Sequence, residues 1–143
     1  MTSPAPMLDM WVMEIEVTSA VLKRLRSEAE RAAPEECCGI LLGGGNSIAD
    51  ALPAANVAQD PRRHFEVDPQ TLVDAHRAAR AGGPEVAGYY HSHPMGPAFP
   101  SATDRAMASG DGRIWAIIGK DDVTFWRDGE EGFLRLSCRL RER

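Results

Sequence analysis

The stretch "GYYHSHPMGPAFPSATD", residues 88–104, sets two imidazoles one residue apart, then a serine and an aspartate three apart beyond a proline-studded spacer. In a strand, residues i and i+2 face the same side, so His91 and His93 project together while Ser92 points to the other face. Pro94, Pro97 and Pro100 stiffen the spacer, and a stiff loop can return Ser101 and Asp104 to the histidines at a fixed distance. At the first turn of a helix, positions three apart share a face. Two imidazole nitrogens and one carboxylate oxygen are donors that zinc favours, and three protein ligands leave one tetrahedral position open to water, which marks a catalytic rather than a structural site. Zinc lowers the pKa of a bound water towards about 7 and polarises carbonyls. Such chemistry also wants a carboxylate base that is not a ligand and a donor for the developing oxyanion. The Ser101 hydroxyl can be that donor; the base has to come from elsewhere in the chain.

Each half of the pattern has a plainer reading. "SATD" fits a capping box, a serine cap reinforced by an acid three residues on. H-x-H on a strand is by itself more often structural or superficial than metal-binding. Their coincidence across a short rigid spacer favours the metal. Other candidates are weaker. Cys37 and Cys38 lack the C-x-x-C spacing and read as buried strand residues, because a free cysteine packs as a small hydrophobe. His64 and His76 stand isolated, Arg62 and Arg63 read as exposed charge, and "RLRER" at 139–143 as a solvated end. Trp11, Trp115 and Trp126 read as core or half-buried strand residues.

The elements that must carry these residues follow from periodicity. "WVMEIEV" (11–17) alternates as a strand does. Thr18 or Ser19 caps a helix to about residue 33, which Pro34 ends. "CCGILLGG" (37–44) suits a buried strand closed by glycines. "IADALPAANVA" (48–58) reads as a strand leading into a loop, and "HFEVD" (64–68) as another short extended piece. Asp68 caps a helix that has Pro69 in its first turn and stops at Gly82-Gly83. "EVAGYYHSH" (85–93) is a strand, Ser101 opens a helix to about Ser109, and "RIWAIIG", "VTFWR" and "GFLRLSCRL" finish as strands. Strands and helices intermix without repeat or linker, which predicts one α/β domain over 1–143 with a mixed sheet and a loose start at 1–9.

The totals bound the function. A chain of 143 residues buries about two-thirds of its unfolded surface. Lys+Arg 16 against Asp+Glu 21 gives a net charge of −5; this acidic balance argues against a nucleic-acid partner, which needs a basic face, and against an anionic membrane surface. The N-terminus has no basic, apolar export pattern. With three cysteines, an odd count, this predicts reduced thiols and a cytoplasmic protein.

"H-S-H-P", seven residues between His93 and Ser101, and then "S-A-T-D" resemble the JAMM motif of the MPN metalloprotease family. "APEECCGILLGG" resembles the family's upstream Pro-x-Glu-x-Cys-Gly segment, with Pro34, Glu36, Cys38 and Gly39 in register. The likeness continues through "NVAQDPRRHFEVDP" and covers most of residues 13–126. It implies a curved mixed sheet flanked by helices, similar to the cytidine deaminase architecture. It implies a Zn2+ peptidase or isopeptidase, with His91, His93 and Asp104 as metal ligands, Glu36 as general base and Ser101 steadying the oxyanion. The implied partner is a ubiquitin-like or sulfur-carrier protein with a Gly-Gly tail, an extended end that can add to a sheet edge. The long insertions of chain-specific deubiquitinases are missing, so selectivity for polyubiquitin linkages is not expected. Two other readings stay open: a non-catalytic interaction module, as in scaffold members that have lost their ligands, and a zinc hydrolase of small amides or cell-wall peptides.

Overall fold

The computed structural model describes residues 14–142; the expected loose start, Trp11 and the first residues of the 11–17 strand lie outside them. In chain order the described residues form β1 (Glu14–Thr18), α1 (Ser19–Ala32), β2 (Cys38–Gly44), β3 (Ser47–Ala54), α2 (Pro69–Arg80), β4 (Glu85–Ser92), α3 (Ala102–Met107), β5 (Ile114–Ile118), β6 (Val123–Gly129) and β7 (Gly132–Arg141). The strands run in the order β1-β3-β2-β4-β5-β6-β7, and the sheet closes on itself. Pairs β1–β3, β1–β7 and β4–β5 are parallel; β2–β3, β2–β4, β5–β6 and β6–β7 are antiparallel. The mixed, curved sheet expected from the sequence is thus present, curved as far as closure. No helix among the described residues is long and apolar enough to cross a membrane.

Alternation along the strands sorts the core into two faces. One face carries Leu41, Tyr90, Ile114, Ala116 and Ile118 against Val21 and Leu25 of α1. The opposite face carries Ile40 and Val86 against Ala75 of α2, with Tyr89 and Leu72 packed alongside. β5, buried along its whole length, is apolar on both sides, as a strand covered on both faces must be. In α1, Val21, Leu25 and Glu28 are buried at i, i+4 and i+7, one stripe of the helix. Thr18 provides its cap, accepting from the Val21 N–H at 3.1 Å. Tyr90 donates to the buried Glu28 carboxylate at 2.6 Å, which ties α1 to the strand that bears the histidines.

Two glycines let these layers approach. A side chain on Gly39 would strike the Tyr90 phenol and the Leu52 carbonyl, and one on Gly88 the Ile114 backbone carbonyl across the parallel pair. Because the obstacle at Gly88 is backbone, no rotamer change relieves it. Gly88→Ala is expected to destabilise by about 3 kcal/mol; urea denaturation checks this as a lower midpoint at an unchanged m-value.

Side-chain hydrogen bonds set the local detail at three places. The extended piece at 64–68 pairs through a single bridge, Asn56 to Val67, and does not lengthen into a strand. The Asn56 side chain instead takes the His64 carbonyl and the Glu66 N–H that a ladder would use. α3 stops at Met107, short of Ser109, because the Ser109 and Gly110 N–H groups donate to the buried Asp128 carboxylate at 3.1 Å each. Asp68 stands at the cap of α2, but its carboxylate accepts from the Thr71 hydroxyl rather than from the backbone.

Candidate metal centre

β4 ends at Ser92, between the two histidines, at the rim of the closed sheet. His91 lies opposite Cys38 of β2 and Ile117 of β5, so its ring leaves the sheet on the face where α2 packs. There Phe65 stacks on it at 4.2 Å and Trp115 meets it edge-on at 5.7 Å. Ser92 points away, as the strand period requires, and its hydroxyl accepts from the Cys37 N–H at 2.8 Å.

α3 returns the carboxylate. The Ser101 hydroxyl accepts from the Asp104 N–H at 3.0 Å, and the Asp104 carboxylate accepts from the Ser101 N–H at 3.0 Å. The capping box therefore exists, and it is compatible with the metal reading: it holds Asp104 with its carboxylate turned to the histidines. His91 Nε2 lies 3.0 Å from Asp104 Oδ1 and His93 Nε2 lies 3.2 Å from Asp104 Oδ2. The two Nε2 atoms are 3.1 Å apart.

These separations fit one ion: donors on a tetrahedron with bonds near 2.0 Å are about 3.3 Å apart. The three residues are of types that can hold a metal ion, and their donor atoms all lie within 4.8 Å of one another. His93 is oriented for the role, because its Nδ1 faces the Pro97 carbonyl at 2.9 Å. With Nδ1 donating there, the Nε2 lone pair is left for a metal. His91 is fully buried; burial pulls its pKa below the ordinary histidine value, despite the Asp104 carboxylate, so the ring stays neutral and its Nε2 able to ligate. Burial pushes the Asp104 carboxyl up, but hydrogen bonds from both histidines and from the Ser101 N–H outweigh it and hold Asp104 well below the usual carboxylate range. Burial likewise lowers His93, and the Asp104 and Pro97 contacts more than reverse it. A divalent cation needs neutral imidazoles beside an ionised carboxylate; the carboxylate is ionised, and at His93, whose pKa is raised, the cation has to displace a proton.

Glu36 reaches the same place from another part of the chain. It precedes β2 by two residues, is 7% exposed, and lines with His93, Ser101, Arg63 and Phe99 a cleft of about 350 Å³. Burial raises its pKa from 4.5 to about 7; nearby His93 lowers it and Asp104 raises it. The neighbouring Glu35 is exposed. The five residues singled out in the sequence thus meet at one rim: three donors in mutual contact, a buried carboxyl, and a hydroxyl.

The other candidates separate from the site. Cys37 and Cys38 are buried and unpaired, and burial pushes their thiols to about 11 and about 12, so both stay protonated. His64 is exposed and His76 half-buried, outside the donor cluster. Trp115 is core and Trp126 half-buried, donating to the Thr124 hydroxyl. Arg139 and Arg141 are surface residues paired with Glu14 and Glu16. Sequence reasoning missed Phe65, the aromatic floor beneath His91, and Asn56, which holds the loop that carries it. An isolated aromatic in the polar run "DPRRHFEVD" was the signal for the first.

The chain matches the family described as prokaryotic homologs of the JAB domain over residues 18–129. It is 38% identical to a desampylase of Haloferax volcanii over 104 residues, 71% of this chain and 75% of that protein. It is 33% identical to a probable TtuB-protein conjugate cleaving protease of Thermus thermophilus over 118 residues, 82% of this chain and 74% of the relative. A solution structure of a protein from Desulfitobacterium hafniense superposes with a TM-score of 0.79 at 28% identity, covering 90% of this chain and 94% of that one. With a match running from the cap of α1 to the end of β6, through every residue of the donor cluster, the chain belongs to the prokaryotic JAB-domain family.

Proposed function

We propose that this protein is a zinc peptidase or isopeptidase, with His91, His93 and Asp104 holding the metal. It cleaves the bond after the C-terminal Gly-Gly of a ubiquitin-like carrier protein. The observation that carries the reading is the meeting of two kinds of group at one rim: a set of two imidazoles and a carboxylate within 4.8 Å of one another, and a separate carboxyl raised to about 7. A structural metal site has no use for the second. Relatives named as a desampylase and as a conjugate-cleaving protease support the substrate class.

When bound, the metal supplies Lewis acidity that makes water a nucleophile near neutral pH and polarises a carbonyl. The chain supplies the rest. Glu36, buried and not engaged as a ligand, accepts a proton from the attacking water and hands it to the departing amine; a base with a pKa near the working pH suits both transfers. Ser101 Oγ already accepts from the Asp104 N–H, which leaves its own proton free to donate to the oxygen that gains charge. The cleft beside Phe99 and Thr103 is open enough for an extended double-glycine end. A cytoplasmic location belongs to the same proposal and is supported by three unpaired thiols.

The test is incubation of the zinc-loaded protein with a Gly-Gly-ended carrier fused to a short extension. The expected products are the carrier ending in Gly-Gly and the free extension. A chelator is expected to abolish cleavage, zinc to restore it, and metal removal to lower the melting temperature, since a ligand held at 100-fold its Kd adds about 2.7 kcal/mol. Cleavage of free tail peptides as fast as of folded carriers would instead indicate a hydrolase of small amides. Protein that takes up no stoichiometric zinc at neutral pH yet still binds the carrier would indicate a scaffold.

A further inference from the structure

Glu36 sits where the sheet has not yet begun. β2 starts at Cys38, so no ladder partner fixes the backbone that carries the carboxyl. Cys37 is held from the histidine strand, its N–H donating to Ser92 Oγ and its carbonyl accepting from the Ser92 N–H at 3.1 Å. Glu36 is held from the other side. Its N–H donates to the Pro61 carbonyl at 2.8 Å, and its carbonyl accepts from Asn56 Nδ2 at 3.0 Å. Both backbone groups of Glu36 are therefore satisfied by the segment 56–61.

That segment is organised by one side chain. Besides Glu36, Asn56 Nδ2 donates to the His64 carbonyl at 3.0 Å, with the Pro61 carbonyl a longer 3.5 Å away. Asn56 Oδ1 accepts from the Ala58 N–H at 3.1 Å and the Glu66 N–H at 3.0 Å. The amide orientation is fixed by these partners, since turning it over would set donors against donors. Among uncharged side chains, only a carboxamide of this length offers two donors and a two-lone-pair acceptor at one point. The loop so closed also presents Phe65 to His91 and Arg63 to the cleft.

We infer that Asn56 is the positioning residue for the Glu36 base: its carboxamide joins the Glu36 carbonyl to the 57–66 loop and so sets where the carboxyl stands relative to the metal ligands. The inference rests on Glu36 acting as base in the proposed peptidase. Asn56 touches no substrate or metal; it acts through Glu36. Misplacing a reacting group by about 1 Å can cost about 100-fold in rate, and nothing else among the interactions described holds the Glu36 carbonyl.

The experiment uses the full chain, zinc-loaded, as Asn56→Asp and Asn56→Ala beside the wild type, on the Gly-Gly carrier fusion. Asn56→Asp keeps the acceptor and removes the two donors, so the loop can still close while the link to Glu36 is lost. The expected result is a fall in kcat of about 30- to 100-fold, with zinc stoichiometry unchanged and KM within about threefold. Amide hydrogen exchange supplies a readout apart from activity. In the folded variants the Glu36 amide is expected to exchange at least about tenfold faster, while the Cys37 amide, held by Ser92, keeps its protection. Folded, zinc-loaded Asn56→Asp with kcat within about twofold of wild type overturns the inference. So does a loss of zinc in step with the loss of rate, which would put the effect on the ligands. Should Asn56→Ala fail to fold, Asn56→Asp decides. A wild type that cleaves no carrier fusion would instead sink the peptidase reading itself.

Discussion

Glutamine at position 36 is expected to leave a protein that still binds its metal but has lost its catalysis, with kcat down by about 100- to 10,000-fold, the range a positioned proton-transfer group supplies. The same substitution is expected to make the metal-free protein more stable at alkaline pH. In the fold the Glu36 carboxyl titrates near 7 rather than at 4.5, chiefly through burial. A raised carboxyl favours the folded state while protonated, so its contribution is complete below about pH 4.5 and is lost as pH rises through 7. Each pKa unit is worth about 1.4 kcal/mol, so the ionised side chain costs the fold about 1–3 kcal/mol at pH 8. Glu36→Gln removes that cost. Denaturation of the metal-free pair should give a higher midpoint for the variant at pH 8 and coincident curves at pH 4. Equal stability at both would mean that the carboxyl is not held in the buried state described. An active site that costs stability and returns it as function is a common trade.

Asp104→Ala carries the second large effect, because one side chain serves both the proposed ligand set and the cap of α3. Zinc binding is expected to fall below stoichiometric and cleavage to the level of chelated protein, since two imidazoles alone do not complete a catalytic zinc shell. The metal-free protein should also lose about 2 kcal/mol at neutral pH, the worth of a charged acceptor with several donors. The sign follows from the depressed carboxyl: its stabilisation is present above the unfolded value of 3.8 and fades as pH falls below it. The stability gap between Asp104→Ala and the parent should therefore be widest near neutrality and narrow in acid. Metal analysis and denaturation at pH 7 and pH 3 check the two halves separately. Full zinc occupancy in Asp104→Ala would remove the aspartate from the ligand set.

Much of this was legible in the chain. H-x-H on a strand and S-x-x-D at a helix start are local patterns, and each dictates its own geometry: the strand period turned both imidazoles one way and the capping box fixed the carboxylate. Their meeting needed only a short, proline-stiffened spacer. Glu36 was different. Nothing local says that a residue two positions before β2 meets the end of β4; the family resemblance supplied it, and the antiparallel β2–β4 register, Cys38 opposite His91, is the physical reason. What the sequence hid was side-chain work on backbone. Asn56 takes backbone partners that a β-ladder would use and so keeps the extended piece at 64–68 from lengthening into a strand, and Asp128 draws Ser109 and Gly110 off the end of α3. Closure of the sheet was equally unreadable, because the parallel β1–β7 pairing joins residues more than a hundred positions apart.

The most direct measurement is anomalous diffraction at the zinc edge from crystals of the zinc-loaded protein. One peak per chain is expected about 2.0–2.2 Å from Nε2 of His91, Nε2 of His93 and a carboxylate oxygen of Asp104, with the Glu36 carboxyl facing the remaining position without bonding to the ion. A peak away from these three residues, or Glu36 itself as a ligand in place of solvent, would contradict this arrangement.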